Sequence, residues 1–207
     1  MNPARSVAPA VEPVSLALAK SYCRVDASTD DDLITLLIQA AREYVEEYTG
    51  NTLIQSTWQW TLHDWTNSRI IRPSGQWYDW NGDSSGILYI PNSPVISISS
   101  ITYYDTAGTL QTLSAASYQT QIKSNPGRLM PASGYVWPDI QSDNLSAITI
   151  QYVAGYGTQP ENIPGEYRLA MLYLIVQWYE ERKPTAFTTV NQVPLTVVDL
   201  LKTVRYG

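Results

Sequence analysis

Residues 28–50, STDDDLITLLIQAAREYVEEYTG, decide how the rest of this chain can fold. The stretch predicts one helix with both ends marked: Thr29 can serve as the N-cap, and Gly50 can take the left-handed conformation that closes a helix. The acidic residues 30–32 favour the positive end of the helix dipole. Apolar side chains recur at steps of three and four residues and predict one broad buried face, formed by Leu33, Leu37, Ala40, Ala41, Tyr44, Val45 and Tyr48.

That face needs a packing partner, and the best candidate lies far along the chain. Residues 165–183 carry a second apolar stripe at helical spacing, and Pro184 stops the pattern. Shorter helical patterns occupy residues 16–25 and 196–206. Because each half buries its apolar face only against the other, residues 14–52 and 160–207 predict one discontinuous helical domain.

Between these halves, residues 53–159 change from a helical to a strand period. Trp58, Trp60 and Leu62 alternate with polar side chains, and about six or seven short strands follow, separated by turn residues. The sequence DTAG at 105–108 predicts a hairpin turn with glycine at the position that needs a positive φ. The predicted fold is therefore α+β: a small helical bundle formed by the N- and C-terminal helices, with an inserted antiparallel β-sandwich or barrel module.

The first thirteen residues predict a flexible N-terminal arm. Pro3, Pro9 and Pro13 are separated mainly by small residues, a composition typical of chain termini without a fixed conformation. A plain disordered terminus is favoured over an arm that docks on a partner.

Composition excludes several classes of function. The formal net charge is −6 and the pI about 4.7, so the basic footprint of a DNA-binding protein is missing. A single cysteine, Cys23, allows no internal disulfide, and with a single histidine, His63, it cannot build a zinc cluster. No stretch has the roughly 20 apolar residues of a membrane span. We expect neither a metal nor a cofactor.

Catalytic patterns are equally weak. Asp64, Asp79 and Asp83 would be the carboxylates for glycoside hydrolysis, but they lie in a polar segment where solvated acids are expected. His63 falls on the polar side of a predicted strand, without a recognisable Ser-His-Asp context. The expectation is that the protein is not an enzyme.

The aromatic composition is unusual, with 15 tyrosines and 7 tryptophans against 1 phenylalanine. Tyrosine and tryptophan are enriched at protein interfaces, although an aromatic-rich sheet surface explains the count as well. Two loops concentrate these residues and are candidate partner-contact loops; they carry Trp77, Tyr78, Trp80, Tyr135 and Trp137. The alternative is that each loop folds back onto its own sheet.

The order of the elements, with several phrases, resembles the head–tail connector (neck adaptor) family of tailed bacteriophages and gene-transfer particles, in its long form with a β insertion. The matching phrases are LALAKSYCRVD, LITLLIQAAREYVEEYTGNTLIQSTWQWTL, PNSPVISISSITYYDTAGT, NPGRL, ITIQYVAGYG with PENIP, and RLAMLYLIVQWYEER. They span roughly residues 14–206.

What this resemblance implies is structural. Members form a homo-oligomeric ring, usually a dodecamer, below the portal protein, made in the host cytoplasm and found in the neck of the virion. The ring extends the DNA channel without specific DNA binding and offers a surface to the next neck or tail protein. Residues 196–207 would be the segment that reaches toward the portal. The long aromatic loop, residues 68–86, departs from many relatives and leaves the tail-side partner open.

Side chains of the types that dominate interface energetics end the last two predicted helices. The candidate assembly interface consists of Trp178, Tyr179, Arg182, Arg205 and Tyr206. Two alternative functions stay open at this point: another neck or tail-completion protein, and a carbohydrate- or host-binding β module presented by the aromatic loops.

Overall fold

The computed structural model describes residues 3–66, 70–71, 77–78, 86–181 and 195–205. Within these residues the helices are α1 (Leu16–Cys23), α2 (Asp31–Thr49), α3 (Gly165–Glu180) and α4 (Leu195–Arg205). The strands are β1 (Ala4–Val7), β2 (Ser56–Leu62), β3 (Ile70–Ile71), β4 (Trp77–Tyr78), β5 (Leu88–Ile90), β6 (Val95–Tyr104), β7 (Leu110–Thr112), β8 (Tyr118–Gln121), β9 (Gly127–Pro131) and β10 (Ile148–Ala154). All of the strand pairs are antiparallel, which confirms the predicted α+β class.

The chain folds into two compact units. The first, called here the β unit, consists of residues 1–9 and 55–156. The second, called the helical unit, consists of residues 10–54 and 157–207. Each unit therefore draws on two separate stretches of the sequence.

The β unit contains a five-stranded sheet in the order β1-β2-β10-β6-β7 and a three-stranded sheet in the order β5-β9-β8. Strand β10 runs between β2 and β6, and every second side chain along it is buried: Ile148, Ile150, Tyr152 and Ala154. This alternation is the period-two pattern of a sheet with one covered face. The covered face joins a core that includes Trp60, Leu62, Leu88, Ile101 and Leu129.

The N-terminal arm differs from its prediction. Residues 4–7 form strand β1, which pairs with β2 at the edge of the five-stranded sheet. The Ser6 hydroxyl donates to the Thr57 carbonyl over 3.2 Å, and the Arg5 guanidinium carbon lies 4.6 Å from the centroid of the Trp58 ring. A four-residue strand carries too little periodicity to be recognised between prolines, whereas the open edge of β2 supplies the backbone partners that order it.

Helix α2 begins one residue later than predicted. Asp30, rather than Thr29, occupies the N-cap, and its side chain caps no backbone N–H group. The other end is confirmed: Gly50 has φ of 68° and donates its N–H to the Glu46 carbonyl over 2.7 Å. The helix is thus fixed more firmly at its C-terminus than at its N-terminus.

The buried face of α2 is rotated from the predicted one. Ile34 and Ile38 are fully buried together with the expected Ala41 and Val45, whereas Leu33 is 36% exposed. The apolar pattern of the sequence is wide enough for either face. The packing of α1, α3 and α4 around α2 selects the face that holds the isoleucines.

Helix α3 packs on α2 across the helical unit. Its buried side chains are Tyr167, Ala170, Met171, Leu172, Leu174 and Ile175. The buried Tyr167 hydroxyl accepts a hydrogen bond of 2.6 Å from the Asn51 amide, which ties the start of α3 to the residue that follows the α2 cap. Helix α4 contacts both α2 and α3 and buries Val197 and Leu201.

Two glycines hold positions that other residues would strain. Gly108 has φ of 76° in the turn between β6 and β7, which confirms the predicted hairpin. Gly127 begins β9 beside Val95, and a Cβ atom at this position would lie 2.9 Å from the Val95 Cγ2 atom. The backbone of β9 therefore approaches β6 more closely than a side chain would allow.

Candidate interaction surfaces

The predicted interface residues at the end of α3 have partners inside the helical unit. The Tyr179 hydroxyl donates to Asp30 Oδ2 over 2.6 Å, so it satisfies the carboxylate at the start of α2. The Trp178 ring meets the Tyr44 ring edge-on, with centroids 6.2 Å apart. Both side chains are half-buried. They join α3 to α2 and leave part of their surface for a further contact.

The Tyr44 ring is itself part of a short aromatic ladder on α2. It stacks on Tyr48 with a centroid distance of 6.3 Å and an interplanar angle of 13°. Burial raises the pKa of the Tyr44 hydroxyl, and the neighbouring Tyr48 and Glu47 raise it further. With its pKa raised, the Tyr44 hydroxyl stays neutral at physiological pH.

The remaining members of the predicted interface lie at or beyond the limits of the described residues. Arg205 is the last residue of α4, and its side chain is outside the described part. Arg182 and Tyr206 also lie outside the described residues. Their role in assembly stays a prediction.

A buried ion cluster that the sequence did not reveal lies along α2. Arg42 is only 3% exposed, and its Nε donates to Glu12 Oε2 over 2.8 Å while its Nη1 donates to Glu46 Oε2 over 3.0 Å. The other Glu46 oxygen accepts the Leu53 N–H group over 2.8 Å. The cluster fastens the segment before α1 and the segment after α2 to one point. The i,i+4 spacing of Arg42 and Glu46 signals a pair, but such pairs are usually solvated.

The helical unit also exposes apolar side chains on α1 and α3. Tyr22 on α1 and Tyr173 on α3 meet edge-to-face with centroids 6.3 Å apart, and both are exposed. Leu18 and Leu169 are exposed one helical turn before them. Cys23 is half-buried, and burial together with the nearby Glu180 raises the pKa of its thiol.

The second aromatic loop, residues 134–138, has an inward and an outward part. Trp137 stacks on Trp65 with a centroid distance of 4.5 Å and donates its Nε1–H to the Gly86 carbonyl over 2.7 Å. Tyr135 and Val136 face outward, 53% and 84% exposed. Of the two open interpretations, folding back onto the sheet holds for Trp137, while the tip stays available to a partner.

The first aromatic loop is described only in part. Trp77 and Tyr78 form strand β4, which pairs with β3, but their side chains are outside the described part. Trp80 lies entirely outside the described residues.

The described residues of each unit line a concave surface. A cavity of about 570 Å³ opens beside the 134–138 loop and is lined by Gln119, Met130, Pro131, Tyr135 and Trp137, among others. In the helical unit a groove of about 490 Å³ is lined by Val14, Leu16, Ile38 and Pro160 together with the carboxylates Glu12 and Glu161. The described lining of the first is uncharged and that of the second is acidic, so these residues supply no cation for a phosphate.

The residues considered for catalysis have local structural roles. Asp64 Oδ1 accepts hydrogen bonds of 2.7 Å from both the N–H and the hydroxyl of Thr66, as in a turn. Nδ1 of His63 lies 3.1 Å from the Asn144 carbonyl oxygen. Asp79 and Asp83 are outside the described residues. Within the described ranges no three His, Cys, Asp or Glu side chains form a metal-binding group, and no helix is long and apolar enough to span a membrane.

With this geometry established, the relationship to known proteins is clear. The family model described as "Phage gp6-like head-tail connector protein" matches residues 13–120, more than half of the chain. The chain belongs to this family. The match contains the helices α1 and α2 and the strands β2 to β7. A search of curated protein sequences gave no match.

Solved structures extend this connector's likeness to its C-terminal half. A chain in the neck of an empty gene transfer agent (GTA) particle, computed with C6 symmetry, has a TM-score of 0.75 at 17% identity, covering 98% of this chain and 94% of that one. A chain in the virion of a native GTA particle gives 0.74 at 20% identity, with the same coverage of 98% and 94%. The neck of the native particle computed with C12 symmetry gives 0.69 at 18% identity, again over 98% and 94%. At these identities the likeness concerns the fold, which includes α3 and α4.

Proposed function

We propose that this head–tail connector is a structural protein of the virion neck, where copies form a closed ring below the portal and join the capsid to the tail. The observation that carries the proposal is the family match over residues 13–120, supported by a shared fold with neck proteins over 98% of the chain. The ring extends the DNA channel, and its two faces receive the portal protein and the next neck or tail protein. The subunit number we propose is 12, as in the neck computed with C12 symmetry.

A ring of this kind requires two different surfaces that meet head-to-tail. The exposed apolar side chains of α1 and α3, centred on Tyr22 and Tyr173, supply one surface of the type found at protein contacts. The end of α3, with Trp178 and Tyr179 half-buried against α2, supplies a second, to which we assign Arg182, Arg205 and Tyr206 as further contacts.

A structural role is favoured over a catalytic one. The family and the fold relatives are structural particle proteins, and the described acids near His63 serve turns and loop contacts. The carbohydrate-binding alternative requires an exposed tryptophan face, whereas Trp137 uses one face and its N–H group within the β unit. The described residues therefore support the connector.

The test is electron microscopy of particles made with and without this protein. We expect filled capsids without tails in its absence, and a ring of this chain between portal and tail in its presence. Tailed particles in normal number without the protein, or a single copy per neck, would refute the proposed function.

A further inference from the structure

We propose that the free edge of β8 and the tip of the 134–138 loop form a docking site for an extended, uncharged segment of a neighbouring neck or tail protein. This inference rests on the proposed function and deepens it, because it assigns the tail-side contact to a defined part of the β unit. Three observations support it: an apolar tip fixed by stacking and hydrogen bonds, a cavity whose described lining is uncharged, and a strand edge that no described strand pairs with.

The tip is held in place before any partner binds. Behind it, Trp137 stacks on Trp65, and the Trp65 Nε1–H group donates to the Pro138 carbonyl over 2.9 Å. The Tyr135 N–H group donates to the Ala132 carbonyl over 2.9 Å, which closes the turn. Val136, at 84% exposed, is the most exposed large apolar side chain of the described residues. A preorganised apolar tip loses little conformational entropy when a partner covers it.

The cavity beside the tip determines the chemistry of the partner. None of the ten described residues that line it carries a charge. A nucleic acid requires cations for its phosphates, and the described lining supplies none. Met130 and Pro131 form apolar walls, with Gln119 and Ser133 as the polar contributors. Such a lining matches an apolar side chain flanked by neutral polar groups.

The strand edge determines the shape of the partner. In the three-stranded sheet β8 is an outer strand, and among the described residues its ladder partner is β9 alone. Gln119 belongs both to this strand and to the cavity lining, so the edge and the cavity form one surface. An open strand edge is completed by an added strand, whose backbone forms the ladder and whose alternate side chains enter neighbouring pockets. The partner is therefore an extended segment.

A sugar fits the same surface less well. Carbohydrate recognition relies on a free aromatic face together with several hydrogen-bonding side chains, whereas Trp65 occupies one face of Trp137 and only Gln119 and Ser133 contribute polar side chains besides the Tyr135 hydroxyl. Binding of the purified protein to a glycan array would overturn the assignment in favour of a sugar.

The experiment uses two substitutions of opposite charge, V136E and Q119K, in the full chain produced with the particle. An introduced charge of either sign weakens the binding of an apolar partner. For a charged partner, a charge of the same sign weakens binding and a charge of the opposite sign strengthens it. We expect each variant to reduce the fraction of tailed particles about tenfold or more, because an unpaired charge in a desolvated contact is costly. The matched control is L110E, since Leu110 on β7 in the same unit is 57% exposed.

Readouts separate this inference from the proposed function. The supporting result is a normal connector ring on the portal in V136E and Q119K particles, tails missing, and tailed particles in L110E. A ring with tails in all three variants overturns the docking site and leaves the connector intact. A photocrosslinker, p-benzoylphenylalanine, in place of Tyr135 identifies the occupant: a crosslink to an extended segment of another neck or tail protein supports the site. A crosslink within the same chain or to DNA overturns it, and so does the absence of any crosslinked protein.

Discussion

Arg42 is a buried cation, and its hydrogen-bond donors therefore need acceptors inside the helical unit. A guanidinium group removed from water is tolerated only where its donors find acceptors, and here Glu12 and Glu46 accept from it at 2.8 and 3.0 Å. Burial lowers the pKa of Arg42, but the two carboxylates outweigh this and raise it on balance, so the side chain stays charged. Because Glu46 also accepts a hydrogen bond from the Leu53 N–H group, the cluster around Arg42 connects the beginning and the end of the segment that contains α1 and α2.

Removing this cation is predicted to destabilise the helical unit strongly. R42M removes the cation that lies 3.0 Å from Glu46, which is 9% exposed, and we expect the free energy of unfolding to fall by about 3 kcal/mol or more. The measurement is chemical denaturation followed by circular dichroism. R24M is the control, because Arg24 is an exposed cation in the same unit, and a change within about 0.5 kcal/mol is expected there. Equal effects of the two substitutions would contradict the role given to the cluster.

Asp105 makes the β6–β7 hairpin sensitive to acid. The Gln111 amide donates to its carboxylate over 2.8 Å and the Thr109 N–H group over 2.9 Å, and these bonds, with that from Ala107, hold its pKa below the ordinary value. A carboxylate with a lowered folded-state pKa contributes stability above its unfolded pKa of about 3.9, and loses it as the pH falls through the folded value.

Amide hydrogen exchange at Thr109 and Ala107 measures this effect directly. We expect protection to be constant at neutral pH, after correction for the intrinsic exchange rate, and to decline below about pH 4. In D105N the same amides should be less protected at neutral pH and should show no acid-dependent loss. Protection that declines equally in both proteins would assign the acid effect to another group.

Among the elements, helix α2 has some features that follow from its own sequence and others that depend on the neighbouring helices. Its helical state, its glycine cap and its amphipathic character follow from local spacing and were predicted. The buried face was not, because Leu33 and Ile34 are equally apolar and differ by one helical position. Only the arrangement of the neighbouring helices makes Ile34 buried and leaves Leu33 36% exposed. The sequence pattern therefore identifies the helical period but does not decide which of two neighbouring faces is buried.

The strands show the same distinction. The alternating side chains of β2 were recognised, whereas β1 was missed because its order depends on the edge of β2. The loop at 134–138 was recognised as aromatic, but the division between inward Trp137 and outward Val136 depends on the position of Trp65, far earlier in the chain. Contacts between distant residues decide such assignments, and no local pattern encodes them.

At the junction of β9 and β6, close backbone approach leads to a prediction about one glycine. A Cβ atom at Gly127 would lie 2.9 Å from Val95 Cγ2, closer than real contacts allow. We expect G127A to lower the free energy of unfolding by about 1–3 kcal/mol, the usual cost of overpacking. The double variant G127A/V95A should be less destabilised than the sum of the single changes, because the clash is gone. Thermal unfolding of the four proteins measures the coupling, and simple additivity would count against this contact.

On the scale of the whole molecule, the division into two units suits a connector. The helical unit carries the exposed tyrosine and leucine surface of α1 and α3, and the β unit carries the rigid tip of the 134–138 loop. A subunit with separate surfaces can meet identical neighbours through one and a different protein through another. The family relationship was predictable because several phrases share an order along the chain. Which side chains stay exposed was not, because exposure is settled only after folding.

The net charge of the whole molecule predicts its affinity for DNA. The net charge is −6, and several described cations already have partners: Lys20 with Asp31, Lys202 with Asp199, and Arg42 within its cluster. Since affinity for a duplex grows with each phosphate neutralised, we expect no measurable binding at about 150 mM salt. In the channel that we propose, such a surface would not retain DNA.

Fluorescence anisotropy with a labelled 30-base-pair duplex tests this. The comparison is a variant in which the exposed acids Asp32, Glu43 and Glu47 on α2 become lysine, which brings the formal charge to about zero and clusters new cations on one helix. We expect this variant to bind weakly, with an affinity that decreases steeply as salt is raised, while the natural protein gives no signal. Because Glu43 lies 3.5 Å from Arg42 and Asp32 lies in the first turn of α2, circular dichroism is used to verify that the variant is folded before binding is compared. Salt-dependent binding by the natural protein would mean that its channel surface holds DNA instead of letting it slide.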